Sequence, residues 1–309
     1  MSLRTLSSRL NVSETECLIA IHRLIDKHFP ITEEQEGYRL NIPMVTPSII
    51  AKPIEQLGIG HSILALETVA STNTYALDQL PSLDHGTLVL ALDQSKGKGR
   101  LGREWHVPPG KSVSLSIVLK PTISSDTLTL LTQLTAAALC RSLKAYGDAK
   151  IKWPNDILMD GKKVAGILIE SHFEQISLTG VVIGVGINTN LLQEDFSDEL
   201  KEKASSLRVL SGNVIDPNPL IVDVIRQLNL LYYEWIESKD ASLFIDICRK
   251  ESILINKDVR VYSPDGTHKE ARVTDINSFG ELMVQYEGQQ SPEPLRTLDF
   301  SVRGVNGYI

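Results

Sequence analysis

Cysteine is scarce in this sequence. The three cysteines, Cys17, Cys140 and Cys248, lie far apart, and none forms a C-x-x-C pair. That spacing excludes a disulfide framework or a cysteine-ligated zinc site and suits a reducing compartment. Long apolar runs are missing as well. No stretch reaches the roughly 18 apolar residues of a membrane-spanning helix, and MSLRTLSSRL has no apolar signal core, so the expected location is the cytoplasm. Positive charge is not in excess: 31 Lys and Arg face 38 Asp and Glu, a net charge of −7. This argues against a chain that binds nucleic acid over its whole surface, though a local basic patch remains open. Low-complexity tracts and solenoid-length repeats are also absent. What is present is 42% hydrophobic and 22% charged residues over 309 positions, enough to bury a core in two or three domains.

Three regions follow from the patterning. In residues 1–60, Leu3, Leu6 and Leu10 recur at helical spacing, and Ser13 caps a second helix with Glu14 and Glu16 in its first turn. A hairpin is expected from Phe29 to Leu40, turning at Glu36-Gly37. Helix, turn, helix and hairpin make a short winged helix-turn-helix pattern. From Asn41 to Gly60, Pro43, Pro47, Pro53 and two glycines read as a linker. Residues 61–254 alternate strand-like runs (62–68, 87–92, 112–119, 157–159, 164–170, 176–185) with helix-like runs (73–80, 128–146, 219–237, 241–250). Connections as short as Asp160-Gly161 cannot hold parallel crossovers, so a mixed or largely antiparallel sheet is expected. Residues 255–309 carry short strands between Pro-Asp-Gly and Phe-Gly turns, which suits a small β-barrel. The fold class is α+β, multidomain.

Chemistry concentrates in the middle region. Gly97-Lys98-Gly99-Arg100-Leu101-Gly102 spells G-x-G-x-x-G after a strand. A dinucleotide loop must then open a helix, but Arg103-Glu104-Trp105-His106-Val107-Pro108-Pro109-Gly110 forbids one. A P-loop needs Lys-Ser/Thr after its last glycine, and Arg103-Glu104 stands there. A kinase needs H-R-D and D-F-G elements, which are missing. What remains is a basic strand-to-strand loop offering backbone N–H groups and Lys98, Arg100 and Arg103 to an anion; alone, it is equally a solvated turn. Lys152-Trp153-Pro154-Asn155-Asp156 fixes a bend that presents Asn155 and Asp156, or simply caps itself. Lys163 opens an apolar strand in which Gly166 is costly unless something must come close. Asn188 ends the strand 182–188 and can cap it or bond an amide or adenine edge. Ser71-Thr72-Asn73 starts a helix, as an N-cap or as a small polar site.

In order and spacing these stretches, with Gln94 through Arg103, Gly161 to Leu168, Gly186-Ile187-Asn188 and Ala204-Ser205-Ser206-Leu207, resemble the bacterial biotin–protein ligases, in particular the form that doubles as biotin operon repressor. The resemblance is strong over 62–210 and weak in the first sixty residues. It implies a truncated winged helix-turn-helix domain plus linker (1–60), a catalytic domain of the class II synthetase-like type (61–254) and an SH3-like β-barrel (255–309). It implies that biotin and ATP give biotinyl-AMP and pyrophosphate, with Mg2+ on the nucleotide. Biotin then passes to a lysine of a biotin carboxyl carrier protein. Lys163, Arg100, Lys98 and Asp156 would be catalytic. Ser71, Thr72, Asn73, Gln94, Gly97, Lys98, Gly99, Arg100, Lys163 and Gly166 would hold biotin. Arg100, Arg103, Trp105, Asn155, Asn188 and Arg303 would hold the nucleotide, with Asp299 turned toward the site and no metal ligands on the protein. A ligand-promoted homodimer is also implied.

The chain departs from the family pattern at Lys98, where arginine is common, and at Leu101, where another basic residue is common; lysine loses bidentate phosphate geometry. Residues 1–60 carry six Lys or Arg against seven Asp or Glu, and Glu14 and Glu16 head the would-be recognition helix. Phosphate neutralisation dominates DNA affinity, so weak or absent operator binding is expected. Two other readings stay open: a protein acting mainly as a biotinyl-AMP-dependent repressor, and a lipoate or octanoate ligase or transferase.

Overall fold

The computed structural model describes residues 1–121, 123, 127–175, 177–263, 265–295, 300–305 and 308. The chain opens with α1 (Leu3–Leu10) and α2 (Glu14–Asp26), then a hairpin of β1 (Ile31–Glu34) and β2 (Gly37–Leu40). Asn11 ends α1 in the left-handed region. Ser13 and Glu16 form a reciprocal capping box that starts α2, satisfying two otherwise orphaned N–H groups.

The segment expected to be a linker is instead partly helical. α3 (Pro47–Ile54) carries Pro47 in its first turn and buries Ile50 and Ile54 completely. Proline is favoured at a helix start because the missing N–H would be unpaired there anyway. The punctuation that suggested a linker thus also fits the start of a helix.

The central sheet has seven strands: β3 (Ile63–Val69), β4 (Leu88–Gln94), β5 (Ser112–Leu119), β6 (Lys150–Lys152), β7 (Asp156–Met159), β8 (Lys162–Glu174) and β9 (Ser177–Asn188). Their order is β3-β4-β5-β9-β8-β7-β6. β3 and β4 run parallel across α4 (Thr72–Asp78), and every other neighbouring pair is antiparallel, so the sheet is mixed, as the short connections required. Asp160 and Gly161, both with positive φ (48° and 75°), turn the β7–β8 hairpin. One face is covered by α5 (Leu128–Leu143) and, after the short α6 (Asp198–Lys201) and α7 (Leu207–Ser211), by α8 (Pro217–Ser238) and α9 (Ser242–Glu251). α5 is buried nearly all round, on Leu and Ala for the most part but with Gln133, Thr135 and Ser142 buried as well. Among the described residues no helix is long and apolar enough to cross a membrane.

The last region forms an antiparallel sheet of β10 (Asp258–Tyr262), β11 (His268–Ile276), β12 (Leu282–Tyr286), β13 (Glu293–Leu295) and β14 (Ser301–Gly304), ordered β13-β12-β11-β10-β14. A small barrel was expected from the strand spacing. The described residues instead form an open sheet, because its two outer strands, three and four residues long, do not pair with each other. A single hydrophobic cluster runs from Ile50 through the central sheet to Val302, so the last two regions share one core.

Candidate active site

β4 ends at Gln94, and the loop after it folds back on itself. Trp105 N–H donates to Gly97 O (2.8 Å), Gly99 N–H donates to Arg103 O (2.7 Å), and the backbones of Lys98 and Glu104 pair as an isolated antiparallel bridge. The glycine loop is therefore a miniature hairpin with a single 3-10 turn at Arg100–Gly102 and opens no α-helix, consistent with rejecting a dinucleotide site. A Cβ on Gly97 would lie 2.2 Å from Trp105 O, so this glycine serves the loop's own close approach. Leu101, with φ 58°, stands exposed at the tip.

Beneath the loop lies a polar cradle. Ser71 caps α4, accepting from Thr74 N–H. Thr72 donates both its N–H (2.8 Å) and its hydroxyl (3.1 Å) to Gln94 Oε1, and Gln94 Nε2 donates to Ser114 Oγ. Ser116 bonds Thr72 Oγ1 (2.8 Å) and Asn73 Oδ1 (2.6 Å), and Asn73 Nδ2 donates to Leu168 O and to Glu170 Oε2 (2.8 Å). Ser71, Thr72, Asn73, Gln94, Ser114 and Ser116 are buried, and Glu170 is half-buried. The closed network fixes their rotamers, as a buried polar cluster must be fixed if it is to present a defined pattern to a ligand. Ser114 and Ser116 escaped the sequence reading. The signal was there: Ser112, Ser114 and Ser116 alternate along β5, a strand buried on both faces.

Ser71, Thr72, Asn73 and Gln94 of the cradle form one wall of a small cleft of about 50 Å³. Nine of the ten residues expected to hold biotin line it, Gly97 being the exception. Gly184 and Gly186 of β9 line it too, the second within the Gly186-Ile187-Asn188 stretch, though neither had been assigned to the site. A Cβ on Gly184 would meet Asn73 Oδ1 at 2.4 Å, and one on Gly186 would meet the Trp105 indole at 2.6 Å. These glycines let the cradle and the indole lie flat against the sheet.

A second, wider cleft continues from the first. Both are lined by Gly99, Arg100, Trp105, Asn155 and Lys163, and the wider one adds Arg103, Lys152, Asp156, Asn188, Arg303 and Tyr308. It therefore brings together every residue expected to hold the nucleotide. Arg100 Nη1 donates to Asn155 Oδ1 (3.2 Å), and Asn155 Nδ2 donates to Ile167 O. Asn188 Nδ2 is committed to Ser205 O, whereas its Oδ1, like Trp105 Nε1, is buried with no hydrogen-bond partner among the described residues. Asp299 lies outside the described residues.

At the junction of the clefts Lys163 Nζ sits 2.6 Å from Asp156 Oδ1, and Tyr308 donates its hydroxyl to Asp156 Oδ2 (2.7 Å). Burial alone would raise the Asp156 carboxyl, but Lys163 and the Tyr308 hydroxyl outweigh it and hold the group below the ordinary carboxylate range. Lys152 lies with Nζ 3.3 Å from the Tyr308 ring centroid, and burial pushes its ammonium down to about 7, against the opposing pull of Asp156. Burial also lowers Arg100, which stays a cation at any ordinary pH. Behind the site Trp153 is fully buried and donates Nε1–H to Gly280 O (3.0 Å), while Gln133 Nε2 donates to Pro154 O across a cis Trp153–Pro154 bond. The Lys152–Asp156 segment is thus clamped between α5 and the β11–β12 turn of the last sheet.

Known proteins agree with this architecture. A profile of the "Biotin/lipoate A/B protein ligase family" matches residues 65–188. The "Bifunctional ligase/repressor BirA" of Bacillus spizizenii is 32% identical over 245 residues, covering 76% of this chain and 74% of that protein. The protein of the same name from Escherichia coli is 29% identical over 262 residues, covering 83% and 79%. In fold, the chain is similar to the Aquifex aeolicus biotin protein ligase solved with biotin and ATP, with TM-score 0.67 and 22% identity over 79% of this chain and 99% of that one. On this identity and coverage, and with the clefts arranged as described, the chain belongs to the biotin–protein ligase family.

Proposed function

We propose that this chain is an ATP-dependent biotin–protein ligase working in two steps across the joined clefts. The observation that carries the proposal is the junction itself. A closed polar cradle leads to a lysine and an arginine, Lys163 and Arg100, where a second cleft with further cations begins. A carboxylate and a triphosphate repel each other, so joining them needs this supply of fixed positive charge. A pair of unit charges about 4 Å apart is worth roughly 4 kcal/mol at an effective dielectric near 20.

In the first step the biotin carboxylate oxygen attacks the α-phosphorus of ATP and pyrophosphate leaves, giving biotinyl-AMP. Ser71, Thr72, Asn73 and Gln94 would present their hydrogen-bonding pattern to the ureido ring, with Gly99 and Gly166 lining its path. Lys163 would stabilise the carboxylate–phosphate junction, Arg100 and Lys98 would close over the phosphate, and Arg103 and Arg303 would face the nucleotide. The indole of Trp105 and the amides of Asn155 and Asn188 would bound the adenylate. Mg2+ would arrive with the triphosphate; among the described residues no cluster of acidic, histidine or cysteine side chains is built to hold a metal by itself. In the second step the lysine amine of a carrier protein, of the biotin carboxyl carrier type, attacks the acyl carbon. The acyl–phosphate C–O bond breaks and AMP departs with the electron pair. A free lysine is almost wholly protonated at neutral pH, and Asp156, held ionised, would orient that amine and draw off its proton.

The remaining roles belong to the same proposal. Residues 1–60 would form a short winged helix unit, 61–254 the catalytic domain and 255–309 an SH3-like unit, in a cytoplasmic protein that dimerises with ligand bound. Glu14 and Glu16 put two negative charges in the first turn of α2, the second held in the capping box with Ser13, which supports weak or absent operator binding.

Biotin-dependent ATP–pyrophosphate exchange tests the core of the proposal, with lipoate in parallel and Lys163→Ala as control. Exchange with biotin, lowered on the order of a hundredfold or more in the variant, is expected. Exchange with lipoate instead would move the chain to the sister activity.

A further inference from the structure

Tyr308 is a residue with no place in the mechanism above, yet it touches two of the charged groups at the junction. Its hydroxyl donates to Asp156 Oδ2 at 2.7 Å and its ring lies under the Lys152 ammonium at 3.3 Å. The other carboxylate oxygen, Oδ1, is held by Lys163 at 2.6 Å. Asp156 therefore has both oxygens engaged, one by an ammonium and one by a neutral O–H donor. The two partners differ in kind. Lys163 lines both clefts, whereas Tyr308 lines only the wider one, alongside Arg103 and Arg303. An incoming lysine brings an N–H donor at the end of a slim chain, and with Oδ1 paired to Lys163 the oxygen left to receive it is the one that the phenol occupies. Asp156 and Arg103, Arg303 and Lys152 face the phenol, and burial together with Asp156 raises its pKa, so it remains a donor throughout the working pH range.

We propose that Tyr308 is a placeholder for the acceptor amine: its hydroxyl occupies Asp156 Oδ2 until the carrier lysine displaces it. This rests on the reading of Asp156 as the group that receives that amine. With the placeholder seated, Asp156 keeps a protein partner on each oxygen. It is then less available to hold a water molecule against the adenylate while no carrier is present. The hydroxyl is given up when a better donor, attached to the carrier, arrives.

The test is single-turnover transfer from preformed biotinyl-AMP, using full-length protein and its Tyr308→Phe and Tyr308→Ala variants. Two acceptors are used: a purified biotin carboxyl carrier domain and butylamine. A hydrogen bond to a charged group corresponds to roughly tenfold or more in an equilibrium. Tyr308→Phe should therefore lower the KM for both acceptors by about tenfold, with the gain in KM rather than kcat, and raise adenylate hydrolysis in their absence. Tyr308→Ala, which also removes the ring, should do so at least as strongly. Slower transfer to both acceptors would make the phenol a support for Asp156 and overturn the proposal. So would unchanged kinetics, or a change with the carrier and none with butylamine, which would place Tyr308 in a carrier-docking contact. Pyrophosphate exchange is run on each protein. Exchange lost in Tyr308→Phe would tie the phenol to adenylation and likewise refute the idea. Exchange missing from the wild type would refute the ligase reading itself.

Discussion

Alanine at Gly186 should close the cradle cleft without unfolding the protein. The added methyl carbon would stand 2.6 Å from Trp105 Cε2, 2.7 Å from Cζ2 and 3.0 Å from Nε1. Restoring ordinary van der Waals contact at 3.4 Å moves the indole about 0.8 Å away from the sheet. The indole is rigid and cannot yield by turning an outer bond. It is also packed against the cluster of Val107, Leu191, Phe196 and Ala204. Overpacking of this kind costs about 1–3 kcal/mol, and expressed as lost affinity that is about five- to 150-fold. Gly166→Ala supplies the internal control. Its methyl would lie 2.9 Å from Lys163 Cε and Nζ, the far end of a flexible side chain, so binding should suffer less while adenylation suffers more. Calorimetric titration with biotin measures the first effect and pyrophosphate exchange the second. Wild-type biotin affinity in Gly186→Ala, with the indole unmoved in a crystal structure, would refute the packing argument.

Two further outcomes follow from the same geometry. Ser116→Ala removes hydrogen bonds to Thr72 and Asn73 at a fully buried position, and should cost about 1–3 kcal/mol in urea unfolding together with a loss of biotin affinity. The Lys152 ammonium titrates near 7 when folded and near 10.4 when unfolded, so between those values the unfolded chain binds more protons and stability rises with pH. Lys152→Met should flatten the rise in melting temperature between about pH 7 and 9; an unchanged slope would show that the ammonium is not buried as described.

Much of this was legible in the sequence because the chemistry sits in local runs. The prolines after the glycine loop excluded a helix, and the 90–112 segment does return directly to β5. The Asp160-Gly161 turn fixed the hairpin that brings Lys163 back beside Asp156. What was not legible depends on pairing at long range. Glu170 and Ser116 reach Asn73 across 97 and 43 residues, and Tyr308 reaches Asp156 across 152. No local pattern encodes such contacts. The linker reading failed for a different reason: proline both breaks helices and starts them, and only the burial of Ile50 and Ile54 decides which.

The shared cluster that runs from Ile50 to Val302 has a bearing on how the molecule comes apart. Trp153 stands inside it and ties the segment before Asp156 to Gly280 of the last sheet. The catalytic floor and the closing sheet should therefore melt in one transition, and damage to either should appear as loss of both. Cys17 and Ile21 belong to no part of that cluster, so hydrogen exchange in the first two helices is expected to report openings that leave the joined clefts closed.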